Sequence, residues 1–358
     1  MYILSSPPFS SETDAISHKK PLLPVQDFLL KYLSDHNRVV HFDIHYRDLL
    51  HFEYARPLYD RNGVDTLWET VQYKPSDLTE IYPELTRIYA DLRTEGDTRF
   101  HHHLRVDRVD FCTFGNTKPF RVRIVNKFND NYDYFYIKIA DASRIYGLEL
   151  EHILSPNRIN YMFYADTLIE EHIPGIPGDA FVQNYIHHAG ANPVRIAKEF
   201  VKFNERCMLR LLGDMRAYNF VVDITPDFDD VQYRIRAIDF DQQCYEGRKS
   251  VYMPYTFKEN RAFLELVRSC LNETTISQYQ REEQAMMAMR VKTSEHRLHL
   301  LEKCALQDQL STPSKTKQLR EELAKHYHYP AFLACNNMAD ILTNSLGILL
   351  TKAPKNIK

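Results

Sequence analysis

The chain has 358 residues and a formal net charge of −3, with 45 lysine and arginine against 48 aspartate and glutamate residues. This length allows one large or two modest domains with a sizeable core, and the near-neutral charge argues against sequence-independent nucleic-acid binding. No apolar run reaches the roughly 20 residues that span a bilayer. No charged-then-apolar leader opens the sequence, and the six cysteines are dispersed, so we expect a cytoplasmic protein with reduced thiols.

Residues 1–105 predict a mostly helical N-terminal extension. Apolar residues recur at helical spacing there, most clearly at Leu85, Ile88, Tyr89 and Leu92. This region carries no recognisable chemistry.

Strand patterns begin near residue 108 and cover 109–114, 120–125 and 132–140. In the second of these, apolar residues alternate with arginines, which is typical of a strand with one buried face. The turn between the first two contains Gly115 and suits an ordinary hairpin.

Lys138 lies inside the third predicted strand, between large apolar residues, where an ammonium group needs an anionic partner. The next segment, 142–154, has helical periodicity, and Glu149 lies in the middle of its apolar face while Glu151 lies outside it. We therefore expect an ion pair between Lys138 and Glu149. The alternative is that Lys138 reaches solvent from an edge strand.

Two further strand patterns, 159–164 and 167–173, precede a cluster of proline and glycine at 174–178 that predicts a domain boundary. A strong helical pattern follows over 193–212 and leads directly to Asp214. The remainder of the chain, from about residue 258, is predicted to be helical.

Asp214 and Asn219 are five positions apart, and two strand patterns that predict a hairpin follow them, at 220–224 and 231–238. Asp239 comes directly after the second strand, so the hairpin is expected to bring three oxygen-bearing side chains together. A carboxylate that orients a hydroxyl, with an amide and a carboxylate that hold magnesium, is the set of groups that phosphoryl transfer uses.

The order of these elements over residues 108–255 resembles the protein-kinase-like superfamily, and most closely its divergent small-molecule and lipid kinase (aminoglycoside phosphotransferase-like) branch. The shared elements are a strand lysine, a helix glutamate, a hinge, a long helix, Asp-x4-Asn, a hairpin and Asp-Phe-Asp. The resemblance implies an α+β, two-lobed kinase-like fold with an N-lobe at 106–174 and a helical C-lobe at 175–358, extended by helices at both ends.

The resemblance also implies roles for the residues around the hairpin. Asp214 would orient or deprotonate the acceptor hydroxyl. Asn219 and Asp239 would bind magnesium, and Asp241, which replaces the family's glycine, would add a metal contact.

Other roles implied by the resemblance concern ATP. Lys138 would contact the phosphates with Glu149 as its anchor, and the turn at Gly115 would cover them. Backbone groups from Glu170 to His172 would bind the adenine.

The resemblance therefore implies ATP- and magnesium-dependent phosphoryl transfer to a hydroxyl of a small molecule or lipid headgroup, without nucleic acid as a partner. Two alternatives remain open. One is a pseudokinase-type nucleotide-binding or scaffold protein without turnover, and the other is transfer of the nucleotidyl group.

Overall fold

The structure is a computed structural model that describes residues 3–4, 20–60, 62–94, 102–113, 117–227 and 230–352. The chain is a mixed α+β protein that divides into two compact units. The sheet unit comprises Pro24–Asp141 and Ile159–His172, and the helical unit comprises Met1–Leu23, Ala142–Arg158 and Ile173–Lys358.

In the described part of the sheet unit, seven antiparallel strands form one sheet in the order β1-β2-β3-β4-β5-β7-β6. The strands are β1 (Tyr54–Tyr59), β2 (Asp65–Gln72), β3 (Leu104–Cys112), β4 (Phe120–Asn126), β5 (Tyr132–Ile139), β6 (Tyr161–Tyr164) and β7 (Thr167–Glu171). Two helices belong to the same unit, α1 (Asp27–Asp35) and α2 (Pro75–Thr94).

The strands predicted in this unit are confirmed, and β4 shows why they form. Phe120, Val122 and Ile124 are buried on one face, in a cluster that also contains Leu85 and Ile88 of α2. Burial of such a face is the main free-energy gain of a half-buried strand.

The region predicted as a mostly helical extension also contributes β1 and β2 to this sheet. Neither strand was predicted from the sequence. β1 contains Pro57, and the structure shows no regular alternation of buried and exposed residues in it. Among the described residues β1 pairs with β2 alone, so it is an edge strand, where proline, which has no backbone N–H, is tolerated.

The helical unit contains most of the helices and a small sheet in the order β10-β9-β8. Its helices are α3 (Ala142–Leu154), α4 (Gly178–Asn184), α5 (Pro193–Leu209), α6 (Arg261–Cys270), α7 (Glu273–Thr293), α8 (Glu295–Gln307), α9 (Pro313–Tyr327) and α10 (Met338–Lys352). Its strands are β8 (Ile176–Pro177), β9 (Phe220–Asp227) and β10 (Asp230–Ala237).

Helix α5 confirms the long helix predicted before Asp214. It begins at Pro193, and the side chain of Asn192 caps it by accepting a hydrogen bond from the backbone N–H of Arg195. The helix ends at Leu209, three residues earlier than predicted. The hairpin is confirmed as well, with Phe220 of β9 opposite Ala237 of β10.

Helix α3 was predicted within the N-lobe, but residues 142–158 belong to the helical unit. Glu149 is buried, which agrees with its predicted place on the apolar face, but Glu151, which was expected outside that face, is buried too, as is Arg144. Each of these charged side chains has an ionic partner from a distant part of the same unit, which compensates its burial.

Among the described residues, no helix has the length and apolar character needed to cross a membrane.

Candidate functional site

The loop that carries Asp214 has an unusual backbone. Leu211 and Asp214 both have left-handed conformations, with φ of 55° and 60°. Such angles are unfavourable for residues with a side chain, and the surrounding structure must hold them. Backbone bonds do so, from Gly213 N–H to the Gln242 carbonyl (3.2 Å) and from Asp214 N–H to the Val251 carbonyl (3.0 Å).

The carboxylate of Asp214 is held by Arg216. Arg216 Nε donates to Asp214 Oδ1 at 2.9 Å, and Arg216 Nη1 donates to Glu259 Oε1 at 2.8 Å. The guanidinium also lies over the ring of Phe257, 4.8 Å from its centroid. Arg216 is therefore fixed on three sides and restricts the orientation of the Asp214 carboxylate. No role was predicted for Arg216 from the sequence.

Burial raises the pKa of Asp214 to about 7. The hydrogen bond and charge of Arg216 act in the opposite direction, while the nearby carboxylates of Asp239 and Glu259 raise the pKa further. A carboxyl group with this pKa exchanges a proton near neutral pH, which suits a general base.

Asn219 links the Asp214 loop to the hairpin. Its side-chain Nδ2 donates to the backbone carbonyl of Asp214 at 2.8 Å. Its backbone carbonyl accepts a hydrogen bond from the backbone N–H of Ile238 at 3.0 Å. Ile238 immediately precedes Asp239, so the structure brings Asp214, Asn219 and Asp239 to one region of the helical unit.

Asp239 and Asp241 converge on a buried guanidinium. Arg144 Nη1 donates to Asp239 Oδ1 and to Asp241 Oδ1, at 2.8 Å in both cases, and Arg144 Nη2 donates to the Ile238 carbonyl at 3.2 Å. Arg144 is only 1% exposed. Arg144 was not predicted as a site residue, although an arginine in a largely apolar helix needs an anionic partner.

Gly147 allows α3 to approach these aspartates. A Cβ atom added there would lie 2.8 Å from Cβ of Phe240, the residue between Asp239 and Asp241. Glycine disfavours a helix interior, so its presence in α3 is explained by this close contact. The contact places Arg144, one turn earlier, beside the two carboxylates.

Asn219, Asp239 and Asp241 have the chemistry of magnesium ligands, since magnesium prefers oxygen donors. The two aspartates also form a site for a cation, because Oδ1 of each one contacts the same positively charged nitrogen, Arg144 Nη1. Over the described ranges, no group of three or more histidine, cysteine, aspartate or glutamate side chains is arranged to hold a metal ion. Asp239 and Asp241 are thus oxygen donors of the kind that magnesium prefers, and Arg144 is the cation that binds both of them in the structure.

Lys138 has a partner, but not the predicted one. Its Nζ lies 2.9 Å from Glu170 Oε2, and both side chains are buried in the sheet unit. The edge-strand alternative is wrong, because β5 lies between β4 and β7. Glu149 instead pairs with Arg297 of α8, at 2.7 Å between Oε2 and Nη2.

The predicted adenine contacts involve Glu170 and His172. Glu170 lies inside β7, opposite Tyr136 of β5 on one side and Tyr161 of β6 on the other. Its backbone groups are therefore part of the sheet's hydrogen-bonded ladders. His172 follows the last paired residue, and its Nδ1 lies 3.2 Å from the hydroxyl of Tyr136. Burial lowers the pKa of His172. Gly115 lies outside the described residues.

The predicted residues thus fall into two groups. Lys138, Glu170 and His172 belong to the sheet unit, whereas the others in the described part of the chain belong to the helical unit: Glu149, Asp214, Asn219, Asp239 and Asp241. No protein-family model and no curated protein matches the chain. Function is therefore inferred from the geometry of the helical-unit group.

Proposed function

We propose that the chain is a phosphotransferase of two-lobed, kinase-like fold that uses ATP and magnesium to phosphorylate a hydroxyl of a small molecule or lipid headgroup. The observation that carries this proposal is the carboxyl of Asp214, with a pKa of about 7, in a strained loop beside Asn219 and Asp239. Strained backbone and raised carboxyl pKa values are concentrated at catalytic sites.

In this proposal, Asp214 accepts the proton of the acceptor hydroxyl as that oxygen attacks the terminal phosphorus of ATP. The bond between this phosphorus and the β–γ bridging oxygen breaks, and ADP leaves with the bridging oxygen. Arg216 is a positioning residue, since its bond to Asp214 Oδ1 fixes the direction of the carboxylate. Asn219, Asp239 and Asp241 would hold magnesium, which supplies charge neutralisation on the phosphates when bound. The nucleotide contacts of Lys138 and the other sheet-unit residues stay predictions.

The test compares wild type with Asp214→Asn, which keeps the size of the side chain and removes its basic carboxylate. We expect turnover to fall by about 10²–10⁴, the usual effect of a positioned acid–base group, while nucleotide affinity changes by a few-fold at most. Asp227→Asn, at an exposed position of β9, should leave both unchanged.

The assay follows labelled phosphate from ATP to a panel of hydroxyl acceptors and to water, and the mass of each adduct separates phosphoryl from nucleotidyl transfer. If wild type and Asp214→Asn are equally inactive toward every acceptor and toward water, Asp214 has no catalytic role and the proposal fails.

A nucleotide-binding or scaffold protein without turnover is a second candidate, and Arg144 is the observation that favours it. A protein that already neutralises Asp239 and Asp241 with its own guanidinium has less need of a metal there. ATP binding without phosphoryl transfer, nucleotidyl transfer or hydrolysis would support this candidate.

A further inference from the structure

The cation nearest to the predicted metal ligands belongs to the chain itself. We propose that Arg144 is the resident counter-ion of Asp239 and Asp241, and that a divalent cation binds these two aspartates only by displacing it. This inference concerns the regulation of the site and rests on the metal-binding role in the proposed function.

The bonds of Arg144 are short and directed. Both Oδ1 contacts measure 2.8 Å, within the range of charge-assisted hydrogen bonds. Asp239 Oδ1 also accepts the backbone N–H of Asp241 at 3.0 Å, which fixes this carboxylate from a second direction. The two aspartates are therefore already oriented around a positive charge.

A metal ion and the guanidinium compete for the same oxygens. Magnesium requires ligands at 2.0–2.1 Å in near-octahedral geometry, and an ion bound to both Oδ1 atoms would use the two oxygens to which Arg144 Nη1 donates. A metal ion and a guanidinium bound to the same two oxygens would be in close contact and would repel each other. Binding of a metal to both aspartates therefore requires Arg144 to leave.

The packing of α3 holds Arg144 beside the aspartates. Arg144 lies in the first turn of α3, and the close contact between Gly147 and Phe240 fixes that helix against the turn of Asp239 and Asp241. Asp239 is the more accessible of the two aspartates, with a side chain 35% exposed against 15% for Asp241. A metal would thus approach from the side of Asp239.

The experiment is a titration with Mn²⁺ alone, followed by electron paramagnetic resonance, on wild type and on Arg144→Gln. Glutamine keeps part of the length of arginine and removes its charge. We expect the variant to bind one Mn²⁺ at least tenfold more tightly, and Mg²⁺ to raise its melting temperature by more than it raises that of wild type. Equal affinities, or no binding by either protein, would overturn the inference.

Arg206 provides a matched control. It is also a buried arginine with two carboxylate partners. Glu199 contacts its Nη2 (2.7 Å) and Glu283 contacts its Nη1 (3.2 Å), so the two carboxylates bind different nitrogens. Arg206→Gln should lose stability without gaining affinity for Mn²⁺. A gain as large as that of Arg144→Gln would show a general effect of losing a buried cation and would overturn the inference.

If Arg144→Gln does not fold, the same inference is tested on a crystal of wild type soaked in Mn²⁺, in which anomalous scattering locates the manganese. We expect manganese at the aspartates together with a displaced guanidinium. Manganese bound to both aspartates with Arg144 still in place would overturn the inference. Phosphoryl transfer is measured separately, so an inactive wild type with the expected Mn²⁺ result would refute the proposed function alone.

Discussion

Burial raises the pKa of the Asp214 carboxyl and Arg216 lowers it, and the effect of burial is the larger. In the folded chain this carboxyl has a pKa of about 7, against 3.8 for an ordinary aspartate. The folded state therefore binds one more proton than the unfolded state between these values, so this group lowers the free energy of unfolding as pH rises from about 4 to about 7.

Asp214→Asn should remove this pH dependence. The variant is expected to gain stability relative to wild type as pH rises through that window, by no more than about 4 kcal/mol. Urea unfolding at several pH values between 4.5 and 7.5 measures the difference. A difference that stays constant over this range would show that the pKa of the Asp214 carboxyl is not raised in the folded chain.

The pair between Lys138 and Glu170 gives a second prediction for single residues. Removing one partner of a buried ion pair leaves an uncompensated charge, which costs about 3–5 kcal/mol. Lys138→Met and Glu170→Gln should each destabilise the chain, and the double variant should lose much less than the sum.

The same double-mutant cycle on Arg297 and Glu149 provides a comparison in the helical unit, where Arg297 Nη2 and Glu149 Oε2 are 2.7 Å apart. Coupling in both cycles would support the pairing that the structure shows. Additive losses for Lys138 and Glu170 would contradict it.

For whole elements, local sequence patterns predicted the strands β4 and β5, the helix α5 and the hairpin of β9 and β10. In β4 the buried residues Phe120, Val122 and Ile124 alternate with arginines, whereas β9 begins with three consecutive buried residues.

These patterns could not predict the surroundings of α3. The partners of Arg144 and Glu149 lie about 95 and 148 positions further along the chain. A helical wheel shows that Glu149 lies on an apolar face but contains no information about contacts at such distances, so the predicted pairing of Lys138 with Glu149 is wrong.

Gly147→Ala tests the packing of α3 directly. Alanine favours a helix by about 1 kcal/mol over glycine, but the added Cβ would lie 2.8 Å from Phe240. Overpacking of this kind typically costs 1–3 kcal/mol, so we expect a net loss of stability in chemical denaturation.

Gly347 in α10 is the control, since a Cβ atom added there meets no atom within 4 Å. Gly347→Ala should keep the helix-propensity gain and stabilise the protein slightly. If both substitutions stabilise the chain to the same extent, the close contact between α3 and Phe240 does not exist in solution.

On the scale of the whole molecule, the candidate site is assembled within the helical unit from two distant parts of the chain, Ala142–Arg158 and the region after Ile173. The sequence predicted the residues of the Asp214 loop and the hairpin because they are close in sequence. The insertion of α3 into the same unit, with Arg144 directed at the aspartates, could be found only from the folded structure.

Ligand binding to the folded chain provides the last prediction. A nucleotide present at about 100 times its dissociation constant adds about 2.7 kcal/mol to the free energy of unfolding, so ATP with magnesium should raise the melting temperature by several degrees. If Asp239 is a magnesium ligand, Asp239→Asn should abolish the magnesium-dependent part of this shift and keep the part due to ATP alone. Asp227→Asn, exposed at the end of β9, should behave as wild type. A wild-type chain whose melting temperature does not change with any nucleotide at millimolar concentration would contradict both the phosphotransferase and the nucleotide-binding candidates.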